Sequence, residues 1–260
     1  MARQRAALLV TVTERETRVQ GVPVRYRVGG MGEPVVLVHG LAGSLRWWTH
    51  TIPALARRYR VYLVDLPAYG ALHRHRPRLT LAQAASWLWA WMDAVALPRA
   101  HLVGHSMGGS ICAHLAAQHP DAVHRLVLVA PTGVPMGRSL PGYLLPLLRA
   151  VQAMPPRFLP LLAYDALRAG PLTLMHGARD ILAQDLREDL AAIAAPTLLI
   201  WGTHDTLVPP TLGTLLQQRI PTAHLLLLER AGHVPMYDRP RAFNEVVLAF
   251  LAGQEVDPRP

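Results

Sequence analysis

The chain has 260 residues, of which 51% are hydrophobic and 17% are charged. A chain this apolar buries enough surface to offset the entropy lost on folding, which excludes an intrinsically disordered protein, and no segment recurs at a fixed period as in a repeat protein. The length fits one large domain, or one domain with an inserted segment, better than two independent domains.

The net charge of the chain is strongly positive: all 26 basic residues are arginine, and the formal net charge is +9. Residues 1–30 hold six arginines against two acidic residues, and residues 54–80 hold six against one. Such a charge can attract nucleic acid or an anionic membrane. No aromatic–basic pattern or known nucleic-acid-binding motif accompanies these arginines, so we expect no nucleic-acid partner. We interpret the excess as a surface property, with at most a secondary role in attracting an acidic substrate or surface.

The cysteine content and the apolar segments bear on the location of the protein. A single cysteine, Cys112, cannot form an intramolecular disulfide, which fits a reducing compartment. The apolar run at residues 6–10 is too short for the core of a signal peptide. Residues 100–120 carry no Asp, Glu or Arg, but their histidines and glycines are too polar for a bilayer span. We expect a cytoplasmic protein without a membrane span.

The order of apolar runs along the chain predicts the fold class. Residues 8–28 alternate between apolar and polar side chains around a turn signal at Gly21, which predicts an antiparallel hairpin. Later runs are continuously apolar, as is typical of strands buried on both faces of a sheet. These runs cover residues 35–38, 61–64, 101–103, 126–129, 197–201 and 224–228. Helices are predicted between them, at residues 45–58, 80–96, 107–118, 209–219 and 240–252. The pattern predicts an α/β fold: a mostly parallel, twisted sheet of about eight strands with helices on both faces.

One long interval, residues 134–190, interrupts the alternation of strands and helices. It contains proline-punctuated apolar helices and no strand signal, and it is longer than a loop needs to be. We predict a helical cap here, inserted into a core domain formed by residues 1–133 and 191–260; the alternative is an ordinary crossover helix with long loops. The apolar character of the cap favours a hydrophobic substrate. Five large cap residues either line a substrate pocket or pack onto the sheet: Tyr143, Leu144, Met154, Phe158 and Met175.

The most specific motif is the sequence GHSMGG at residues 104–109, between a predicted buried strand and a predicted helix. The small residues Gly104 and Gly108 allow the strand and the helix to approach closely, so that Ser106 can occupy a sharp turn between them. Its hydroxyl then lies at the carboxyl end of the sheet, where open α/β sheets bind ligands. We predict that Ser106 is a nucleophile; the alternative is a structural glycine turn.

A serine nucleophile requires a base and a group that orients the base. His233 follows the last predicted strand and therefore lies at the same edge of the sheet as Ser106. Asp205 lies in the loop after the preceding strand. A second position for such an acid, after the fourth apolar run, is occupied by Ala130 and Pro131. We therefore predict a catalytic triad in the chain order Ser, Asp, His.

A tetrahedral intermediate formed by attack of the serine also requires hydrogen-bond donors for its oxyanion. One candidate is the backbone amide of Met107, directly after the predicted nucleophile. The other is the amide of Leu41, in a glycine-rich loop after the first buried strand, where Gly40 allows a close approach. His39, at the start of that loop, is expected to support it through hydrogen bonds rather than to act as a base.

The chain resembles the α/β-hydrolase superfamily, in the branch of small single-domain esterases, lipases and carbon–carbon bond hydrolases. The resemblance runs over nearly the whole length and is carried by His39-Gly40, Trp48, the DLPAYG segment at 65–70, the GHSMGG motif, Trp201-Gly202 and His233-x-Pro235. Family members often have glycine where this chain has Ala68, a departure in a loop that should not affect catalysis. Dehalogenases and epoxide hydrolases of this fold use an aspartate nucleophile and dienelactone-type hydrolases a cysteine, so Ser106 excludes these activities. No specific subfamily matches in the cap.

These residues predict a serine hydrolase that cleaves small carboxylic esters with an apolar acyl or alcohol part, through an acyl-enzyme and without a cofactor or metal. His73 and His75 have a spacing that could suggest a metal, but no carboxylate completes a site. One alternative is a carbon–carbon bond hydrolase of the meta-cleavage type, with a perhydrolase as a further variant. The substrate of a meta-cleavage hydrolase carries a carboxylate and would need a cap arginine: Arg138, Arg149, Arg157 or Arg168. The other alternative is a non-catalytic ligand receptor on the same scaffold. The oligomeric state is left open.

Overall fold

Eight strands form one sheet at the centre of the computed structural model, which describes residues 11–75, 77, 79–133 and 140–256. In chain order the strands are β1 (Val12–Val19), β2 (Val22–Gly29), β3 (Pro34–Val38), β4 (Arg60–Val64), β5 (Ala100–His105), β6 (Val123–Val129), β7 (Thr197–Gly202) and β8 (Ala223–Leu228). Their order across the sheet is β1-β2-β4-β3-β5-β6-β7-β8. Strand β2 is antiparallel to β1 and β4, and the other pairs are parallel. The predicted fold class is confirmed; residues 8–10 of the predicted hairpin lie outside the described residues.

The inner strands are apolar throughout because both faces of the sheet are covered. On β5, Leu102 and Val103 are both fully buried, and each belongs to a different hydrophobic cluster. Leu199 and Ile200 on β7 are divided in the same way. Successive side chains of a strand point to opposite faces, so the two clusters are the cores above and below the sheet. This arrangement is the one expected for a parallel sheet between two helical layers.

Ten α-helices are found in the described part of the chain: α1 (Ile52–Leu55), α2 (Leu81–Ala94), α3 (Met107–Gln118), α4 (Leu144–Ala153), α5 (Leu159–Ala169), α6 (Pro171–Ala183), α7 (Arg187–Ala192), α8 (Pro210–Arg219), α9 (Pro235–Asp238) and α10 (Pro240–Leu251). The predicted continuous helix at 45–58 is wrong: residues Leu45–Trp48 form a 3-10 helix, and only α1 is α-helical. Pro53 explains the break, because a residue without an amide hydrogen fits only in the first turn of a helix. In the described ranges, no helix is both long and apolar enough to cross a bilayer.

Helices α4, α5 and α6 lie in the predicted cap region, of which residues 134–139 are outside the described residues. Phe158, just before α5, is fully buried and attaches this region to the core. Its ring centroid lies 5.0 Å from that of Trp47 and 4.5 Å from that of Tyr237. In contrast, α7 contacts α3 and α8 beside the sheet. Helix α7 therefore packs with α3 and α8, whereas the region of α4–α6 is attached to the core through Phe158.

Candidate active site

Ser106 occupies the sharp turn between β5 and α3. Its φ angle is +51°, a conformation that few residues other than glycine adopt, and such a backbone costs of order 1–3 kcal/mol. The turn is held by a hydrogen bond of 2.9 Å from the Ser106 amide to the carbonyl of Val129 on β6. A Cβ atom at Gly104 would lie 2.4 Å from the carbonyl oxygen of Gly108, so only glycine fits there. The predicted junction of strand, serine and helix is present as expected.

The structure brings the three predicted triad residues together. The Nδ1 atom of His233 donates a hydrogen bond to Oδ2 of Asp205 at 2.8 Å, because a carboxylate can only accept. The Nε2 atom is then free to accept the hydroxyl hydrogen of Ser106, whose Oγ lies 3.1 Å away. The other carboxylate oxygen of Asp205 accepts the amides of Leu207 and Val208, both at 2.9 Å. The aspartate is thereby fixed, and it fixes the tautomer of the imidazole.

A cavity of about 420 Å³ opens onto Ser106 and His233. Its walls are mostly aliphatic and aromatic, and none of its described lining residues is Asp, Glu or Arg. The cap contributes much of this wall through Leu147, Val151, Leu162, Leu174, Ile181 and Leu182. A site of this kind suits an uncharged, apolar ligand with one reactive polar group.

The five cap residues named from the sequence have different positions. Tyr143 and Met154 line the cavity, whereas Phe158 packs against the core. Leu144 and Met175 are exposed on the outer side of the cap. The two alternatives left open by the sequence thus both occur, two residues lining the cavity and one packing, and the two exposed residues fit neither expectation.

The loop after β3 lies directly beside Ser106. A Cβ atom on Gly40 would be 3.2 Å from the Cβ atom of Ser106, which shows how closely the two segments approach. Leu41 lines the cavity next to Ser106. Met107 is the first residue of α3, so its amide has no acceptor within the helix. Both predicted oxyanion residues thus adjoin Ser106, and their role remains a prediction.

His39 joins two loops at this edge of the sheet. Its Nε2 atom accepts the amide hydrogen of Leu66 at 3.1 Å, so the ring proton is on Nδ1, which donates to the carbonyl of Gly40 at 2.9 Å. Burial lowers the pKa of His39 below its ordinary value. A neutral ring that bridges the loops after β3 and β4 is consistent with the predicted supporting role.

His105 is a site residue that the sequence reasoning missed. Its Nε2–H group donates a hydrogen bond of 2.8 Å to the backbone carbonyl of His233, and the two ring centroids are 4.9 Å apart. Burial and the neighbouring His233 hold the pKa of His105 well below its ordinary value. The residue therefore positions the His233 segment as a neutral donor. Its place directly before Ser106 in the GHSMGG motif was the available signal.

Asp165 is a second missed residue and links the cap to the loop beside Ser106. It lies on α5 and is 0% exposed. Its carboxylate accepts the Ser44 hydroxyl at 2.7 Å, the Trp47 indole N–H at 3.1 Å and the Arg46 guanidinium at 2.8 Å. All three donors follow the Leu41 loop in the chain. The available signal was that Asp165 is the single acidic residue between positions 134 and 179.

The buried neutral histidines predict that the protein loses stability in acid. Burial lowers the pKa of His39 and His105, so the folded protein leaves both uncharged at pH values where the unfolded chain binds protons, below about 6.5. Because the unfolded state then holds more protons, the free energy of unfolding falls as the pH falls, by up to about 1.4 kcal/mol per group and pH unit. Urea unfolding at pH 7.5, 6.5 and 5.5 measures this slope.

The variant His105→Gln isolates one of these groups. A glutamine amide can donate to the same carbonyl but does not titrate, so the loss of stability between pH 6.5 and 5.5 should be smaller than in the wild type. Equal slopes in the two proteins would contradict a neutral buried His105.

Of the four arginines proposed for an acidic substrate, the three that the structure describes do not line the cavity. Arg157 donates to the backbone carbonyl of Tyr237 at 2.9 Å, and Arg168 donates to the Tyr164 hydroxyl at 2.9 Å. Arg149 is exposed on α4, and Arg138 lies outside the described residues. Within the described ranges, no group of three or more His, Cys, Asp or Glu side chains is arranged to hold a metal ion.

Comparison with known proteins identifies the family. A family model described as alpha/beta hydrolase fold matches residues 33–170, and one described as TAP-like protein matches residues 181–259. The chain belongs to the α/β-hydrolase fold family, as the order of its strands and the serine turn after β5 indicate.

Three similar proteins indicate the range of activities in this family. A pimeloyl-[acyl-carrier protein] methyl ester esterase of Aeromonas hydrophila is 31% identical over 249 residues, which cover 85% of this chain and 96% of the relative. A solved membrane phospholipase A, described as a bacterial virulence factor, has a TM-score of 0.80 and 28% identity and covers 93% of this chain and 86% of its own. A variant meta-cleavage product hydrolase from Pseudomonas fluorescens IP01 has a TM-score of 0.77 and 26% identity, covering 92% and 97%.

Proposed function

We propose that the protein is a serine hydrolase of small carboxylic esters with an apolar acyl or alcohol part. The observation that carries this proposal is the hydrogen-bonded chain from Asp205 through His233 to Ser106, with the serine hydroxyl facing an apolar cavity. A receptor without catalysis has no need of this arrangement. The strained backbone of Ser106 also supports a catalytic role, because strained residues of this kind cluster at functional sites.

The proposed reaction uses the three side chains in sequence. The Oγ atom of Ser106 attacks the ester carbonyl while Nε2 of His233 takes the hydroxyl proton. The imidazolium then gives this proton to the leaving alkoxide, and an acyl-enzyme forms. Water activated by His233 attacks the acyl group and releases the acid. Asp205 holds the imidazole in the tautomer that this transfer requires, because its two oxygens accept hydrogen bonds from His233 and from two backbone amides.

We assign the oxyanion hole to the backbone amides of Leu41 and Met107. Support comes from the close approach of the Gly40 segment to Ser106 and from the position of Met107 at the start of α3. A preorganised donor of this kind contributes about 2.7–4 kcal/mol of transition-state stabilisation in a measured example. No cofactor takes part in the proposed reaction.

We also propose that residues 1–133 and 191–260 form the core domain and residues 134–190 the cap. Helices α4–α6 support the cap assignment because they contribute residues to the wall of the cavity, while α7, the last helix of the proposed cap, packs against α3. The proposed location is cytoplasmic, because a chain whose single cysteine is Cys112 fits a reducing compartment.

The absence of charged residues among the described cavity lining favours ester hydrolysis over carbon–carbon bond hydrolysis. The solved relatives include a meta-cleavage product hydrolase, so this alternative stays open. The substrate expected for it carries a carboxylate, and none of the described lining residues is an arginine. The relative named as a methyl ester esterase supports ester cleavage.

A series of nitrophenyl esters with C2 to C16 acyl chains tests the proposal. The wild-type protein should hydrolyse them, with kcat/KM rising with chain length until the cavity is filled. Val151→Trp should move the optimum to shorter chains, because Val151 lines the cavity. The neighbouring variant Gln152→Trp should not, because Gln152 is exposed. Cleavage of a vinylogous diketone acid without cleavage of any ester would replace the ester proposal by the alternative.

A further inference from the structure

The outer surface of the cap is unusually apolar. Ten large hydrophobic side chains are exposed in the described part of the chain, and eight of them lie between residues 144 and 175. These eight are Leu144, Leu145, Leu147, Leu148, Tyr164, Leu167, Leu172 and Met175. The ring of Tyr164 lies against the guanidinium groups of Arg46 and Arg168, and we refer to the other seven residues as the cap outer face. Monomeric soluble proteins rarely leave so many large apolar side chains uncovered in one region, and such regions mark interaction sites.

The cap outer face continues into the candidate active site. Leu147 is 45% exposed, yet it also lines the cavity that contains Ser106. On α6, Leu174 and Ala178 line the cavity while the neighbouring Met175 is exposed. The same helices therefore present apolar side chains to the cavity and to the outside. The cap outer face and the cavity are therefore continuous at Leu147.

The charge around this face is positive. Residues 140–183, which span α4–α6, contain four arginines and two acidic residues, Asp165 and Asp180. Asp165 is fully buried and paired with Arg46, so it does not offset the positive charge at the surface. Arg149 and Arg179 are exposed on α4 and α6. Helices with exposed leucines and arginines bind at the boundary of an anionic lipid layer, where the leucines enter the acyl region and the arginines meet the headgroups.

We propose that the cap outer face docks on an anionic lipid–water interface and that the ester substrate enters the cavity from that interface. Entry of the substrate from the interface rests on the proposed hydrolase function, whereas docking itself does not require catalysis. The occupant is a lipid surface and not a second copy of the chain, since two cationic faces would repel each other. The arginine excess of the whole chain, at +9, adds to the attraction.

Vesicle flotation with the full chain tests the docking. Wild-type protein should float with phosphatidylcholine vesicles that contain 30% phosphatidylglycerol, and less with pure phosphatidylcholine. The double variant Leu145→Glu/Leu148→Glu should bind the anionic vesicles at least about tenfold more weakly, because both leucines are exposed and neither lines the cavity. Met31→Glu is the matched control: Met31 is 83% exposed but lies between β2 and β3, so binding should not change.

Two further measurements separate docking from catalysis and from self-association. Hydrolysis of a soluble short-chain ester should be equal in wild type, the double variant and Met31→Glu, which shows that the variants fold. If the wild type hydrolyses no ester but floats, the proposed function fails and the docking stands. Docking is overturned if wild type does not float, if Met31→Glu weakens flotation equally, or if ultracentrifugation shows a dimer that the double variant dissociates.

Discussion

Replacement of Ser106 by alanine should lower kcat for ester hydrolysis by at least about 10⁴-fold, the largest effect expected of any single substitution. Removal of a triad nucleophile in enzymes of this mechanism leaves only the contributions of the oxyanion donors and of substrate binding. The alanine side chain lacks Oγ, which lies 3.1 Å from Nε2 of His233, and no other described serine has this contact. The release of nitrophenol from a nitrophenyl ester measures kcat of the variant and of the wild type.

Two companion variants define how the effect of Ser106→Ala is interpreted. The double variant Ser106→Ala/His233→Ala should be no slower than either single variant, because the two side chains act as a unit. Ser110→Ala is the matched control. Ser110 lies one turn further along α3 and its hydroxyl donates to the carbonyl of Thr132 at 2.7 Å, so its loss should cost stability and leave kcat within a few-fold of wild type. Additive losses in the double variant would contradict a hydrogen-bonded triad.

Replacement of Asp165 by alanine should destabilise the protein by about 2–4 kcal/mol. The substitution leaves the Ser44 hydroxyl and the Trp47 indole N–H without an acceptor, and each unpaired buried donor costs about 1–3 kcal/mol. Loss of one partner of a buried ion pair costs about 3–5 kcal/mol, but the Arg46 side chain is 42% exposed and returns to water, which reduces this cost. Urea unfolding measures the free-energy difference.

The same substitution should also change catalysis, because Asp165 connects the cap with the segment that follows Leu41. We expect kcat/KM for a long-chain ester to fall more than kcat/KM for a short-chain ester, since the long chain depends on the cap. Asp165→Asn keeps the volume and one acceptor oxygen, so it should fall between wild type and alanine. Asp185→Ala, which removes an exposed partner of Arg187, is the control and should leave both properties close to wild type. Equal losses for both esters would show a purely structural role.

The fold and the serine turn were predictable because two local signals in the sequence are strong. The inner strands of a parallel sheet are buried on both faces, so residues such as Leu102 and Val103 produce continuous apolar runs that can be recognised without a structure. Glycine is required at position 104 because any side chain there would clash with the backbone of Gly108. The glycines around Ser106 therefore indicated the serine turn. Asp205 and His233 follow the ends of two parallel strands, so they were expected at the same edge of the sheet as Ser106.

The parts that sequence reasoning missed depend on contacts between distant segments. Asp165 meets its partners across 118 to 121 positions of the chain, and no local pattern encodes such a pairing. His105 was passed over because its partner is the backbone carbonyl of His233, 128 positions away. The break in the predicted helix at 45–58 had a local signal in Pro53, which the prediction of one continuous helix did not take into account.

The central claim is that Ser106 is a nucleophile activated by His233 and Asp205, and reaction with a fluorophosphonate tests it most directly. Peptide mass mapping of the treated wild-type protein should show one phosphonyl group per chain, on Ser106. The label should be absent from Ser106→Ala, present in the control Ser110→Ala, and formed far more slowly in His233→Ala, because the imidazole is needed to accept the hydroxyl proton. An unlabelled Ser106 in wild-type protein that hydrolyses esters, or equal labelling of wild type and His233→Ala, would contradict the proposed mechanism.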